Sequence, residues 1–108
     1  MGRWSRPVAG RFVEWLHVPA GGVWLDVGCG TGALTAAVCD DAAPLAATGV
    51  DASPAYVAHA ADRSTAPAAD FLVAGASSLP FPDDVFDVVV SGLCLLYTSD
   101  AADERVRV

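Results

Sequence analysis

The sequence predicts an α/β domain built on a parallel β-sheet, and three observations carry this reading. Short apolar runs alternate along the chain with helical segments. The first run is followed at once by a glycine cluster, Gly28-Cys29-Gly30-Thr31-Gly32. The second ends on an acid, Asp51. Strands alternating with helices imply βαβ units with right-handed crossovers.

Taken in order, Pro7 to His17 carries Val8, Phe12, Trp15 and Leu16 at near-helical spacing. It predicts a short amphipathic helix stopped by Pro19 and Gly21-Gly22. Val23 to Val27 is a nearly continuous apolar run, the pattern of a strand buried on both faces. The glycine cluster comes next, then an Ala/Leu/Val-rich helix from Ala33 to Cys39. Leu45 to Val50 is a second strand, closed by Asp51. Ser53-Pro54 supplies a helix cap and a first-turn proline, so a helix runs from there to Arg63. Phe71 to Ala74 is a third strand, Leu79 to Asp84 a loop, and Val85 to Ser91 a fourth strand. Trp15 and Trp24 are expected to pack inside. Cys39 is expected in the helix core, and Cys29 as a small side chain that fits its loop. His17 and His59 are expected at the surface or at helix caps. Trp4 and Ser5 are candidates to fold over a ligand.

Composition narrows the function. The 108 residues hold 6 Lys+Arg against 13 Asp+Glu, a net charge of −7. A nucleic-acid partner would call for a basic patch. No apolar run approaches the ~18 residues of a membrane span. The three cysteines (Cys29, Cys39, Cys94) form no CxxC pair and fit no zinc spacing. The expectation is a cytoplasmic protein with no metal, no nucleic acid and no membrane partner. Lys, Ile, Asn and Gln are all absent. Lys, Ile and Asn have AT-rich codons, so their absence points to a high-GC, bacterial genome.

The glycine cluster carries the chemistry. Glycines between a strand and a helix remove Cβ and allow positive φ, so a ligand can lie against backbone. The helix that follows presents unpaired N–H groups and a positive dipole end, which favour an anionic group. Asp51, 19 residues after Gly32, is placed to reach ribose hydroxyls. These features specify a nucleoside-containing cofactor. Gly28-x-Gly30-x-x-Ala33 formally fits a dinucleotide fingerprint. Asp26, inside the strand, fits better beside an ammonium than beside a pyrophosphate.

Four stretches together point further: Trp24-Leu-Asp-Val-Gly-Cys-Gly-Thr-Gly32, Gly49-Val-Asp-Ala-Ser-Pro54, Leu79-Pro-Phe-Pro-Asp83 and Phe86-Asp-Val-Val-Val-Ser91. In this order and spacing they resemble the class I S-adenosylmethionine (SAM)-dependent methyltransferases. The likeness is greatest to small-molecule enzymes of the ubiquinone/menaquinone-biosynthesis type. The resemblance implies a Rossmann-like three-layer αβα sandwich, with strand order 3-2-1-4 supplied here and the rest of a seven-stranded sheet missing. It implies SAM as cofactor and a small-molecule methyl acceptor. Asp26 and the loop of Gly28, Cys29, Gly30, Thr31 and Gly32 would hold the methionine end. Asp51 would take the ribose, and Ala52 and Ala76 the adenine. Ser91 and Gly92 would flank the methionine. Gly75 departs from the family, which often has an acid there for the adenine amino group. The catalytic logic implied is proximity and orientation, and no residue of the chain is named as a general base.

Two other classes stay open, an NAD(P)-binding oxidoreductase half-domain and a non-catalytic nucleoside-binding module. The last stretch departs from the pattern. Cys94 to Glu104 resembles the frame translation of a transposase-type sequencing adapter. Residues 1–93 are therefore expected to be the SAM-binding part of the domain, and 94–108 a non-native tail. On that expectation the fourth strand is an open apolar edge prone to aggregation, and the chain is inactive by itself.

Overall fold

A computed structural model describes residues 6–75, 79–81, 85–91 and 95–98. The elements are α1 (Arg6–Leu16), β1 (Val23–Val27), α2 (Ala33–Asp41), β2 (Ala46–Asp51), α3 (Pro54–Arg63), β3 (Ala69–Val73), β4 (Val88–Ser91) and β5 (Leu95–Thr98). They form one sheet of order β3-β2-β1-β4-β5. The first three pairings are parallel, so the expected α/β class and the 3-2-1-4 order are both present.

β1 lies at the centre because both its faces are apolar. Trp24 shares a core with Ala47, Val88, Val90 and the inner sides of α1 and α2. Leu25 and Val27 point the other way and join Val50, with Leu79, Phe81, Phe86 and Val89 packed around them. The alternation is the period-2 consequence of a pleated strand. Asp26 has the parity of Trp24, so it faces the helices. β3, at one edge, is far more open: Leu72 and Val73 are 38% and 53% exposed.

Three expectations are corrected. The apolar stripe of α1 was expected to run through Val8, Phe12, Trp15 and Leu16, with Trp15 packed inside. The buried positions are Ala9, Val13 and Leu16, while Trp15 is 55% exposed and stacks on Phe12 with ring centroids 6.3 Å apart. Close packing of α1 on α2 favours the small side chains of Ala9 and Val13. The indole is left on the flank.

The fourth strand was expected from Val85 but begins at Val88. Phe86 turns onto Phe81, edge to face, with centroids 5.0 Å apart. Asp87 exchanges two 2.8 Å bonds with Val23: its N–H donates to the Val23 carbonyl, and its Oδ2 accepts from the Val23 N–H. The Asp87 bonds extend the contact with β1 by one residue beyond the strand itself.

The third correction concerns the edge of β4. It was expected to be open, but β5 pairs with it antiparallel, Val88 opposite Thr98 and Val90 opposite Leu95, with an irregularity between Val89 and Val90. Leu95–Thr98 lies in the stretch read as a foreign tail. An apolar strand edge recruits whatever extended chain can reach it.

Helix ends follow local chemistry. Ser53 caps α3 as expected, its hydroxyl accepting from the Tyr56 N–H at 3.2 Å. Cys39 is half-buried, and burial with Asp40 beside it pushes its thiol pKa up. The Trp24 indole N–H is buried without an acceptor among the described residues. At the end of α1, His17 sits at φ +54° and its N–H donates to the Glu14 carbonyl at 3.2 Å. A left-handed residue with a Cβ is strained there. Replacing His17 by Gly is expected to raise stability by about 0.5–1 kcal/mol. Urea unfolding checks this, and an unchanged or lower midpoint would count against strain at this helix end.

Among the described residues, no helix is long and apolar enough to cross a membrane.

Candidate functional site

The site is built on the carboxyl end of β1. Gly28, Gly30 and Gly32 have φ of +73°, +57° and +96°, conformations that residues with a Cβ rarely adopt. A Cβ built on Gly28 would meet nothing within 4 Å. That side of the loop is therefore open to an approaching ligand. The loop is tied to β2, since the N–H groups of Gly28 and Cys29 both donate to the Val50 carbonyl at 2.8 and 2.9 Å. Gly32 is the N-cap of α2 and gives it no side-chain cap. The dipole end of this helix is thus available to an anionic group.

Two carboxylates flank the loop, one bonded to it and one to the helix that follows it. Asp51 ends β2 and is half-buried. Its Oδ2 accepts from the Gly30 N–H and its Oδ1 from the Ser53 N–H, both at 2.9 Å. One side chain thus braces the glycine loop and the turn into α3 together. A carboxylate oxygen has two acceptor sites, so both oxygens retain capacity for hydroxyl donors. Asp26, 3% exposed, lies beneath the start of α2, where its Oδ2 accepts from the Thr35 hydroxyl at 2.7 Å.

The remaining predicted residues distribute as follows. Cys29 is buried, and its thiol contacts the Gly30 carbonyl at 3.7 Å. Thr31 is exposed on the loop, and Ala52 is exposed beside Asp51. Ser91 is half-buried and lies opposite Val27, where the loop begins. Ala76 and Gly92, together with Trp4 and Ser5, lie outside the described residues. Gly75 is described, and a Cβ there meets nothing within 4 Å.

The sequence reading missed Thr35. The signal was one hydroxyl in an otherwise apolar half-turn, three residues past the last glycine. It also missed Phe71, whose ring lies over Gly49 and reaches Gly32. A groove of about 410 Å³ opens between α2 and α3, lined by Thr31, Gly32, Asp40, His59, Arg63 and Phe71 among others. Neither Asp26 nor Asp51 lines it, so it adjoins the loop at Thr31 and Gly32 without reaching the two carboxylates.

Known proteins resemble this chain in sequence and fold. Residues 25–107 match a family model described as a methyltransferase domain. No curated protein matches the chain. Among solved structures, a Haloferax volcanii protein in complex with the Trm112 methyltransferase activator is 31% identical with a TM-score of 0.73, over 77% of this chain and 37% of that one. The YcgJ protein of Bacillus subtilis is 29% identical with a TM-score of 0.71, over 77% and 36%. The [4+2]-cyclase SpnF is 37% identical with a TM-score of 0.66, over 82% and 36%. The matched region thus spans a little over a third of each of these proteins.

Proposed function

The chain belongs to the methyltransferase-domain family of class I, SAM-dependent type. From that premise we propose that it binds SAM at the glycine loop and serves methyl transfer to a small-molecule acceptor. The observation that supports this best is the pair of carboxylates around a loop with three left-handed glycines. Asp26 and the uncapped start of α2 would take the ammonium and carboxylate of the methionine end. Asp51 would take the ribose hydroxyls, with Ala52, and Ala76 beyond it, at the adenine. Ser91 and Gly92 would flank the methionine end.

When bound, SAM supplies an electrophilic methyl on a sulfonium. The residues bind and orient it, and orientation alone accounts for about 7–11 kcal/mol of a barrier. The neighbours are roughly three times longer than the matched region, so we propose this chain as the cofactor-holding part and expect no turnover from it alone. We also keep the proposal that residues 94–108 are a non-native tail, which an independent nucleotide sequence of the gene checks. Acidic net charge supports a small-molecule partner over nucleic acid.

Calorimetry with SAM, S-adenosylhomocysteine and NAD tests the reading. Binding of the two sulfur nucleosides and not of NAD is the expected result. Tight NAD binding would overturn it in favour of the oxidoreductase reading, and binding of none of the three would favour a non-catalytic module. The 37% identity to a cyclase supports a second reading, in which this fold half serves a reaction other than methyl transfer. Methyl release from labelled SAM by the full gene product separates the two.

Gly75 offers a gain-of-function test. A Cβ there meets nothing within 4 Å. Gly75→Asp is expected to tighten S-adenosylhomocysteine binding by about 1.5 kcal/mol, the lower end for a hydrogen bond to a charged group. Unchanged affinity would place the adenine amino group elsewhere.

A further inference from the structure

The glycine loop has two ends, and one hydrogen bond joins them. Asp26 stands in β1 just before the loop, and Thr35 stands in the first turn of α2 just after it. The Thr35 hydroxyl donates to Asp26 Oδ2 at 2.7 Å, with the two residues 1% and 3% exposed. The rest of this turn is apolar: Leu34, Ala37 and Val38 are all buried in or beside the core. Val has the shape of Thr and would fill the same space without a hydroxyl to desolvate. A buried hydroxyl is costly unless it has a partner. Its partner here is the carboxylate placed next to the first glycine.

Both oxygens of a carboxylate share one trigonal carbon, so fixing one oxygen fixes the plane of the group. A short donor bond to a carboxylate is also among the stronger hydrogen bonds. We propose that Thr35 is a positioning residue for the amino-acid end of the cofactor: by holding Asp26 Oδ2 it sets the orientation of the carboxylate that receives the ammonium. Asp51 has the corresponding place at the nucleoside end, bracing the loop through Gly30. The inference rests on the cofactor reading of Asp26 given above.

Two ligands separate the ends of the site. S-adenosylhomocysteine carries the amino-acid group. 5′-Methylthioadenosine is the same kind of nucleoside thioether without it. In Thr35→Val, S-adenosylhomocysteine is expected to bind about tenfold more weakly or worse, as for loss of a hydrogen bond to a charged group. Methylthioadenosine affinity should stay within about threefold of the original, a difference of less than 1 kcal/mol. Thr35→Ser keeps the hydroxyl and should restore S-adenosylhomocysteine affinity.

A purely structural Thr35 would lower the melting temperature and leave both affinities of the folded protein unchanged, or reduce both equally. Either result overturns the proposal. If the Val variant does not fold, Thr35→Cys carries the test against Thr35→Ser. The thiol is a weak donor of similar size, so it should lose affinity for S-adenosylhomocysteine alone. Equal affinities for Cys and Ser overturn the proposal. Failure of the unchanged protein to bind either ligand overturns the cofactor reading, and this inference with it. Binding by the unchanged protein with no Thr35 effect overturns the inference alone.

Discussion

Asp51→Asn is expected to weaken S-adenosylhomocysteine binding by about a hundredfold or more. The substitution is isosteric, so the effect comes from hydrogen-bond polarity. Both carboxylate oxygens of Asp51 accept from backbone N–H groups, Gly30 on one side and Ser53 on the other. An amide has one acceptor oxygen, so its NH2 must face one of these donors. That removes one bond to a charged acceptor, about 1.5–3 kcal/mol, and releases either the loop or the turn into α3. On the proposed function, contacts to the ribose hydroxyls are weakened as well, by a similar amount. The two losses together reach about 3 kcal/mol or more, which is about two powers of ten in affinity. Calorimetry measures this directly. Affinity within about threefold of the original (less than 1 kcal/mol) would mean that Asp51 neither braces the loop nor meets the ribose.

The second large effect is on stability. Gly49→Ala should destabilise the fold by about 1–3 kcal/mol, and Gly49→Val by more. A glycine inside a strand ordinarily costs about 0.5–1 kcal/mol relative to alanine, so the first expectation would be a gain. Here the sign reverses. A Cβ on Gly49 would stand 2.9 Å from Phe71 Cδ1, 3.0 Å from Phe71 Cε1 and 3.0 Å from Cys29 Cβ. The Phe71 ring is half-buried and borders the groove between α2 and α3, so it must be pushed toward that groove, whereas Cys29 is buried. Cys29 is held by its own backbone bond to Val50. With total stabilities of about 5–15 kcal/mol, the Val variant is expected to be largely unfolded at moderate temperature. Urea unfolding of Gly49→Ala, alone and combined with Phe71→Leu, tests the cause. The smaller side chain should recover most of the loss, since contacting residues couple. An alanine variant as stable as the original, with Phe71 unchanged, would refute the clash.

Gly49 shows why part of the site was legible and part was not. Within the sequence it is the first residue of Gly49-Val-Asp-Ala-Ser-Pro54, a marker of a strand end. Its physical requirement comes from Phe71, 22 residues later on a neighbouring strand. Thr35 is similar. A threonine in an Ala/Leu/Val helix reads as a tolerated polar residue. Only the packing of α2 over β1 brings it to Asp26. The misplaced face of α1 has the same origin. Leu16 is buried and Phe12 is half-buried against the core, as the periodicity implies, but Val8 and Trp15 face outward. Helix packing selected Ala9 and Val13, which allow a closer approach.

The pairing of β5 with β4 lies at the other extreme. Nothing in the spacing of Leu95–Thr98 announces a strand, and its partner is a strand edge supplied by residues 88–91. The start of β4 at Val88 likewise follows from Phe86 finding Phe81 and from Asp87 finding Val23.

Local patterns along the chain set the class of fold, the order of its elements, the glycine loop and the acid that closes the second strand. These depend on local terms: strand and helix periodicity, capping by Ser53 and Pro54, and the freedom of glycine to take positive φ. Tertiary structure alone decided which face of α1 is inside, why Gly49 must lack a side chain, and which groups hold Asp26 and Asp51. Apart from the local Ser53–Asp51 bond, those depend on contacts between different elements of the fold. Hydrogen bonds and close packing act over a few ångströms, so their partners are settled only when strands and helices meet.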